Sequence, residues 1–374
     1  MDIHELQTPC LIVDLSKVRS NIRSLHRRLE RFDPALRPHG KTVKNIEIIN
    51  MALENKTGGI AVSTLREAEY YFGEGIRDIT YAVGIVPFRL RRIAALIRRG
   101  ADISVILDTA EQARALSAGA AEYGVEFPFL VELDCDGRRG GIEADDPLLV
   151  KLGRMAKDEK GIRLRGVLTH AGGSYHSDTP EGIQAVAETE RETAVRAAEI
   201  LRRNGMECPV VSVGSTPTAY FGDNFRGITE IRAGVFIFQD LMMAGLGVCA
   251  EEDIALSVLT SVIGRQRDKG WLITDAGWMA LSNAPAGRNM KNFGAPCDIE
   301  GAPLKDHTVI STSQEHGIIS ALPGTAPDYD RFGIGAKLRI LPNHACATAA
   351  MHDFYFTVEG GTGVTGKLSR VNGW

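Results

Sequence analysis

Nine short apolar runs alternate with longer helical patterns over roughly the first two-thirds of this 374-residue chain. The runs lie at 11–14, 36–41, 59–63, 78–83, 103–108, 127–134, 164–170, 210–214 and 230–238. Helical patterns at 15–32, 64–72, 86–99, 109–123 and 181–204 fall between them, several closed by a glycine or opened by Ser, Thr or Asp. Repeated strand-then-helix order demands parallel strands joined by right-handed crossovers. Eight or nine such units suit a closed (β/α)8 barrel, with an open doubly wound sheet as the alternative. Because nine runs exceed eight, 11–14 is expected to stand outside the barrel.

After about residue 245 the rhythm changes. Segments 257–265, 270–275, 308–313, 337–341 and 354–359 read as strands with little helix between them, so a second, mainly β domain follows. The expected division is a barrel over 10–243 and a β domain over 244–374, joined by residues 1–9. Segments 284–301 and 317–331 are polar and rich in Gly and Pro, and are expected to be loops.

Composition narrows the function classes. Lys plus Arg is 43 and Asp plus Glu is 47, a net charge of −4, which argues against a general polyanion binder and gives no reason to expect a nucleic-acid partner. Six cysteines stand far apart, without the close pairs of a zinc knuckle or a redox dithiol. No signal-peptide pattern opens the chain and no run approaches a membrane span, so a cytoplasmic location without membrane association is expected. Glycine is abundant, 40 residues without a three-residue period, which points to tight turns and close backbone approach to a ligand.

In a barrel, ligands sit where strands end. Lys41 ends an early run within Arg37-Pro38-His39-Gly40-Lys41-Thr42, where an amine suits Schiff-base chemistry as well as a surface position. Val213-Gly214-Ser215-Thr216-Pro217-Thr218 ends another; its backbone N–H groups and hydroxyls suit a phosphate, although Ser/Thr-rich turns are common caps. Arg139 follows a strongly apolar run and is placed to face an anion or a ring nitrogen, or to solvate a loop. His170 ends the next run, and Tyr175 follows it through Ala171-Gly172-Gly173-Ser174. In Leu341-Pro342-Asn343-His344-Ala345-Cys346, an extended backbone would send His344 and Cys346 out on one face. Imidazole and thiolate make a soft donor pair for zinc; a core cysteine beside a polar histidine has the same signature.

Together these segments resemble the fold-type III pyridoxal-phosphate (PLP) enzymes that include eukaryotic-type D-serine dehydratase, D-threo-3-hydroxyaspartate dehydratase and D-threonine aldolase. The resemblance runs from Thr8-Pro9 through the Lys41 segment, Arg139-Gly140-Gly141 and the Gly214 segment to Pro342-Asn343-His344-Ala345-Cys346. It implies an alanine-racemase-like (β/α)8 barrel with a C-terminal β domain, in a head-to-tail homodimer. Lys41 would hold PLP and later take the substrate α-proton, with Arg139 facing the pyridine nitrogen. Gly214, Ser215 and Thr216 would hold the phosphate, with His170 and Tyr175 beside the cofactor. An arginine does not readily give up its proton, so that ring nitrogen would stay unprotonated.

His344 and Cys346 match the metal ligands of the dehydratase branch, where aldolases generally carry His-x-Asp for a harder ion. The resemblance thus implies zinc, with Mg2+ or Mn2+ as alternatives, and β-elimination from a β-hydroxy D-amino acid such as D-serine, D-threonine or D-threo-3-hydroxyaspartate. An aldolase releasing glycine is the alternative; its histidine base would stand where this chain has Tyr175, which is therefore counted with Lys41 as catalytic. A racemase or a non-catalytic PLP-binding protein fits less well, because neither has a use for the metal pair. The family lysine motif continues Lys-Thr-His-Lys, whereas this chain has Lys41-Thr42-Val43-Lys44, making Lys44 a second lysine to test. Gln239, Asp240 and His316 match family segments without an assigned role, and Arg138, His39 or His316 could favour a second substrate carboxylate.

Overall fold

The computed structural model describes residues 1–53, 59–284, 292–323 and 325–374. The chain divides into two compact units, Met1–Ser24 with Val235–Asn372, and Leu25–Gly234 with Gly373–Trp374. Chain order opens with strand β1 (Cys10–Asp14), which belongs to the sheet of the first of these units.

The second unit is the barrel. Its strands are β2 (Ala35–Pro38), β3 (Ile60–Val62), β4 (Asp78–Gly84), β5 (Asp102–Leu107), β6 (Phe127–Leu133), β7 (Ile162–Thr169), β8 (Val210–Val213) and β9 (Glu230–Ala233). All pair in parallel in the order β2-β9-β8-β7-β6-β5-β4-β3. A parallel bridge between His39 and Ala61, with the Gly40 N–H donating to the Ala61 carbonyl at 2.8 Å, draws the two ends of that order together into a near-closed ring. The strands read as continuous apolar runs because both faces are covered: Val105, Ile106 and Leu107 are all buried. Each such side chain contributes about 1.5–3 kcal/mol on burial.

Several strands are shorter than their apolar runs suggest, β2 and β9 among them. β2 stops at Pro38, and Lys41 lies in the turn beyond it; β9 stops at Ala233, and Val235–Ile237 winds into a 3-10 turn. Helices Ile46–Leu53, Pro147–Asp158 and Thr216–Phe221 join those expected, their short length or early proline having hidden the period.

The first unit carries β10 (Leu256–Gln266), β11 (Trp271–Thr274), β12 (Ala295–Cys297), β13 (His307–Thr312), β14 (Gly317–Ala321), β15 (Lys337–Leu341), β16 (Phe354–Val358) and β17 (Val364–Ser369). With β1 they form one sheet, in which β1 pairs antiparallel with β10 and parallel with β16. Run 11–14 thus stands outside the barrel sheet, although the expected barrel range of 10–243 included it.

Two expectations are corrected. Segments 284–301 and 317–331, expected to be loops, contain β12 and β14, although 285–291 and 324 lie outside the described residues. Pairing supplies what composition withheld: β14 lies between β11 and β13, and β12 pairs with β15 and, through a single bridge, with Pro303, the Leu304 N–H donating to the Pro296 carbonyl at 2.9 Å.

Candidate active site

At the carboxyl ends of the barrel strands, the chain from Gly40 to Lys44 makes a single helical turn, closed by a 2.8 Å bond from the Lys44 N–H to the Gly40 carbonyl. Lys44 then takes a left-handed φ of +47°. Thr42 and Val43 are fully buried, so this turn is anchored from below while Lys41 remains exposed. Val43, where the resemblance led to a histidine, is a buried core side chain here. Lys44 is committed elsewhere, its ammonium lying 3.1 Å from the Glu67 carboxylate. Glu67 also accepts the Ser63 N–H at 2.8 Å.

His39 lies between the Lys41 N–H, 3.4 Å from its Nδ1, and the Ser63 hydroxyl, 3.4 Å from its Nε2. Burial, and then the nearby cations Lys41 and Arg232, hold its pKa well below the usual histidine range, so the ring is neutral. His170 is also neutral, with burial pushing its pKa down to about 3. Its Nδ1 lies 3.0 Å from the Gly214 carbonyl, which makes Nδ1 the donor and leaves Nε2 without a proton. Tyr175, in the 3-10 turn Gly172–His176, places its ring centroid 6.2 Å from that of His170.

The Gly214 turn differs from an open cradle of free N–H groups. The Gly214 N–H donates to Glu190 Oε1 at 3.1 Å, and the Ser215 N–H donates to Thr218 Oγ1 at 2.9 Å. Ser215 and Thr218 form a reciprocal capping box at the start of helix Thr216–Phe221, so satisfied caps occupy groups that the sequence left open. Gly214 is required by its backbone: φ is +122°, and a Cβ would lie 2.6 Å from the Arg232 carbonyl oxygen.

Glu190 is one of two buried residues that sequence reasoning missed. On helix Pro180–Arg203 it is buried, and Oε1 accepts the N–H groups of both Ala171 (2.8 Å) and Gly214. It thereby ties the His170–Tyr175 loop to the Gly214 turn, a tie reinforced by Ser174 Oγ at 2.9 Å from Ser215 Oγ. A signal was present: Glu190 interrupts the buried stripe Ile183, Ala187, Ala194, Ala197, Leu201 at helical spacing. Arg232, also missed, is buried and donates to Ser212 Oγ and the Thr169 carbonyl.

Arg139 is exposed on the loop after β6, which is held by the Gly141 N–H donating to Asp108 Oδ2 at 2.9 Å. A groove of about 820 Å³ beside that loop is lined by Asp134–Gly137 and helix Pro180–Arg203, and contains none of the expected site residues.

In the other unit, the extended backbone after β15 ends at His344. His344 is the N-cap of helix Ala345–Ala350 with φ −140° and ψ 103°, and Cys346 is its second residue. The shared strand face is therefore replaced by a helix start, because Asp240 Oδ2 accepts the Ala345 N–H at 2.9 Å and turns the chain there. Both His344 and Cys346 are half-buried. No cluster of three or more His, Cys, Asp or Glu side chains suited to a metal occurs among the described residues. His316 is exposed in the turn between β13 and β14, where its carbonyl accepts the Ser313 N–H at 2.8 Å.

Residues 13–241 match the family model described as "Alanine racemase, N-terminal domain". The chain belongs to that family. Residues 255–358 match a serine dehydratase domain model, so the alanine-racemase-like PLP barrel here precedes a dehydratase-type β domain. The chain is 46% identical over 375 aligned positions to D-threo-3-hydroxyaspartate dehydratase of Delftia sp. (strain HT23), covering 99% of this chain and 98% of that protein. The solved structure of that dehydratase superposes with a TM-score of 0.96 over 100% of both chains. Its other solved forms include a cysteine-to-alanine variant in the metal-free form and a histidine-to-alanine variant, the two replaced residues standing two positions apart. D-serine dehydratase of Dictyostelium discoideum is 30% identical over 100% of this chain and 98% of its own. D-threonine aldolase of Arthrobacter sp. is 31% identical over 95% of this chain and 90% of its own.

Proposed function

We propose that this chain is a PLP- and zinc-dependent dehydratase that converts a β-hydroxy D-amino acid to a 2-oxo acid and ammonia by β-elimination. The observation that carries the reading is the 46% identity to a D-threo-3-hydroxyaspartate dehydratase, sustained across both units. A homodimer and a cytoplasmic location go with this reading, and sedimentation of the PLP-loaded protein tests the dimer.

The residues present fit PLP. Lys41 offers an exposed amine, and its rival Lys44 is held by Glu67. The Gly214 and Ser215 N–H groups are held by Glu190 and Thr218, and a phosphate would meet Ser215 and Thr216 at the start of helix Thr216–Phe221. Arg139 would offer a guanidinium to the pyridine nitrogen, a partner that does not readily give up its proton. Zinc is supported by donor chemistry, since His344 and Cys346 are an imidazole and a thiolate with the His-x-Cys spacing of the residues replaced in the relative's variants. Two protein donors leave positions for water or substrate oxygen.

PLP supplies the electron sink for charge developing at Cα, and zinc supplies a Lewis acid suited to a hydroxyl leaving group. Lys41 is the amine that would hold PLP and the base that would take the α-proton. His170 and His39, both neutral, orient without adding positive charge, and Tyr175 presents a phenol where an aldolase would use an imidazole base.

The product spectrum from D-threonine, with PLP and zinc supplied, tests the reading. Ammonia with 2-oxobutanoate is expected. Glycine with acetaldehyde would overturn it in favour of the aldolase.

A further inference from the structure

We propose that Asp240 is the positioning residue and buried counter-charge of the His344–Cys346 metal pair, setting how tightly the pair holds its ion. The inference rests on the zinc reading above and concerns a residue to which that reading assigns no role.

Asp240 is 1% exposed, yet both of its carboxylate oxygens are used. Oδ1 accepts the Met243 N–H at 2.9 Å and caps helix Leu241–Gly245. Oδ2 accepts the Ala345 N–H at 2.9 Å, at the residue between the two metal donors. The neighbouring backbone repeats the tie: the Leu241 N–H donates to the Pro342 carbonyl at 3.1 Å and the Met242 N–H to the Asn343 carbonyl at 3.2 Å. The stretch carrying His344 is thus fastened to a capped helix start before any ion arrives.

Chain geometry supports the same role. Gln239 takes a left-handed φ of +54°, a conformation that costs a non-glycine residue energy and persists where the surroundings impose it. That turn delivers Asp240 into its buried place.

Asp240 forms no three-donor metal cluster with His344 and Cys346 among the described residues, and each of its oxygens receives a backbone N–H. It acts through the segment it holds and through its charge. A zinc dication with the Cys346 thiolate leaves one positive charge, which the Asp240 carboxylate balances. Partners that hold and polarise metal ligands in this way generally change affinity by roughly 10–100-fold.

The test is zinc affinity, measured on the PLP-loaded, full-length protein by competition with a chromophoric chelator. The parent should bind zinc, and His344→Ala and Cys346→Ala should lose it. Asp240→Asn, which keeps the size but removes the charge, should weaken zinc by roughly 10–100-fold. It should also shift the cobalt–thiolate absorption of the Co2+-substituted protein while leaving the PLP absorption unchanged. Asp240→Ser, whose shorter hydroxyl can still cap the helix, should show the same loss and serves if the asparagine variant does not fold. Parent-like zinc affinity in either folded variant would overturn the role of Asp240 and leave the zinc reading standing. Absence of zinc binding in the parent would overturn both.

Discussion

The Lys44 ammonium lies 3.1 Å from the carboxylate of Glu67, whose side chain is 1% exposed. The contact is an ion pair without hydrogen-bond alignment. It separates the two lysines that the motif left open: one neutralises a buried charge, and the other, Lys41, is exposed in the preceding turn. Lys44→Met should retain the PLP absorption band and lose about 3 kcal/mol of stability, because it strands a buried carboxylate. Lys41→Ala should lose the band and keep its stability. Spectra and denaturant titrations of the two variants check this, and a reversed pattern would exchange the assignments.

Glu190 Oε1 accepts two N–H groups, from Ala171 and Gly214. Glu190→Gln preserves an acceptor oxygen and should retain PLP with near-parent affinity. Glu190→Val strands both donors, and should cost about 2–4 kcal/mol and weaken PLP binding. Cofactor titration followed by absorbance distinguishes the two variants.

Gly214→Ala should be more damaging than its one added carbon suggests. The new Cβ would stand 2.6 Å from the carbonyl oxygen and 2.8 Å from the amide nitrogen of Arg232, at a φ of +122°. Both contacts are backbone, so no side chain can move aside. A fall in thermal midpoint together with reduced PLP content is expected; parent-like values for both would show that the turn yields.

His170 gives stability a direction with pH. Burial depresses its folded-state pKa to about 3, below the unfolded value near 6.5, so the unfolded chain binds the extra proton between those values. Its contribution is therefore fully present above about pH 6.5 and is lost as pH falls toward about 3. Burial depresses the His39 pKa in the same direction. His170→Asn should flatten the dependence, as shown by denaturant midpoints of the PLP-free protein at neutral and mildly acidic pH.

Cys346→Asp converts the His-x-Cys pair into a His-x-Asp pair of the kind associated with aldolases. A carboxylate is a harder donor than a thiolate, so zinc affinity should fall relative to Mn2+ affinity. Metal competition reads this directly, and the ratio of ammonia to glycine formed from D-threonine shows whether reaction choice follows the ligand.

The barrel was legible because its signals are local. Continuous apolar runs, their alternation with helical periods, and caps such as the Thr109–Gln112 box depend on residues a few positions apart. Counting nine runs showed one too many for the barrel, and the pairing of β1 with β10 and β16 decided that it was run 11–14. In the β domain, β12 and β14 were hidden because Gly and Pro obscured their pattern, and their hydrogen bonds come from distant strands.

The amino-acid sequence by itself determined the order of strands and helices, the family motifs and the types of side chain able to hold PLP and a soft metal. Tertiary structure alone decided which groups are already engaged. Lys44 meets Glu67 across 23 positions, Glu190 meets Gly214 across 24, and Asp240 meets Ala345 across 105. Local periodicity carries no information about such partners. Burial then makes each pairing decisive, because a carboxylate removed from water must find its donors within the fold.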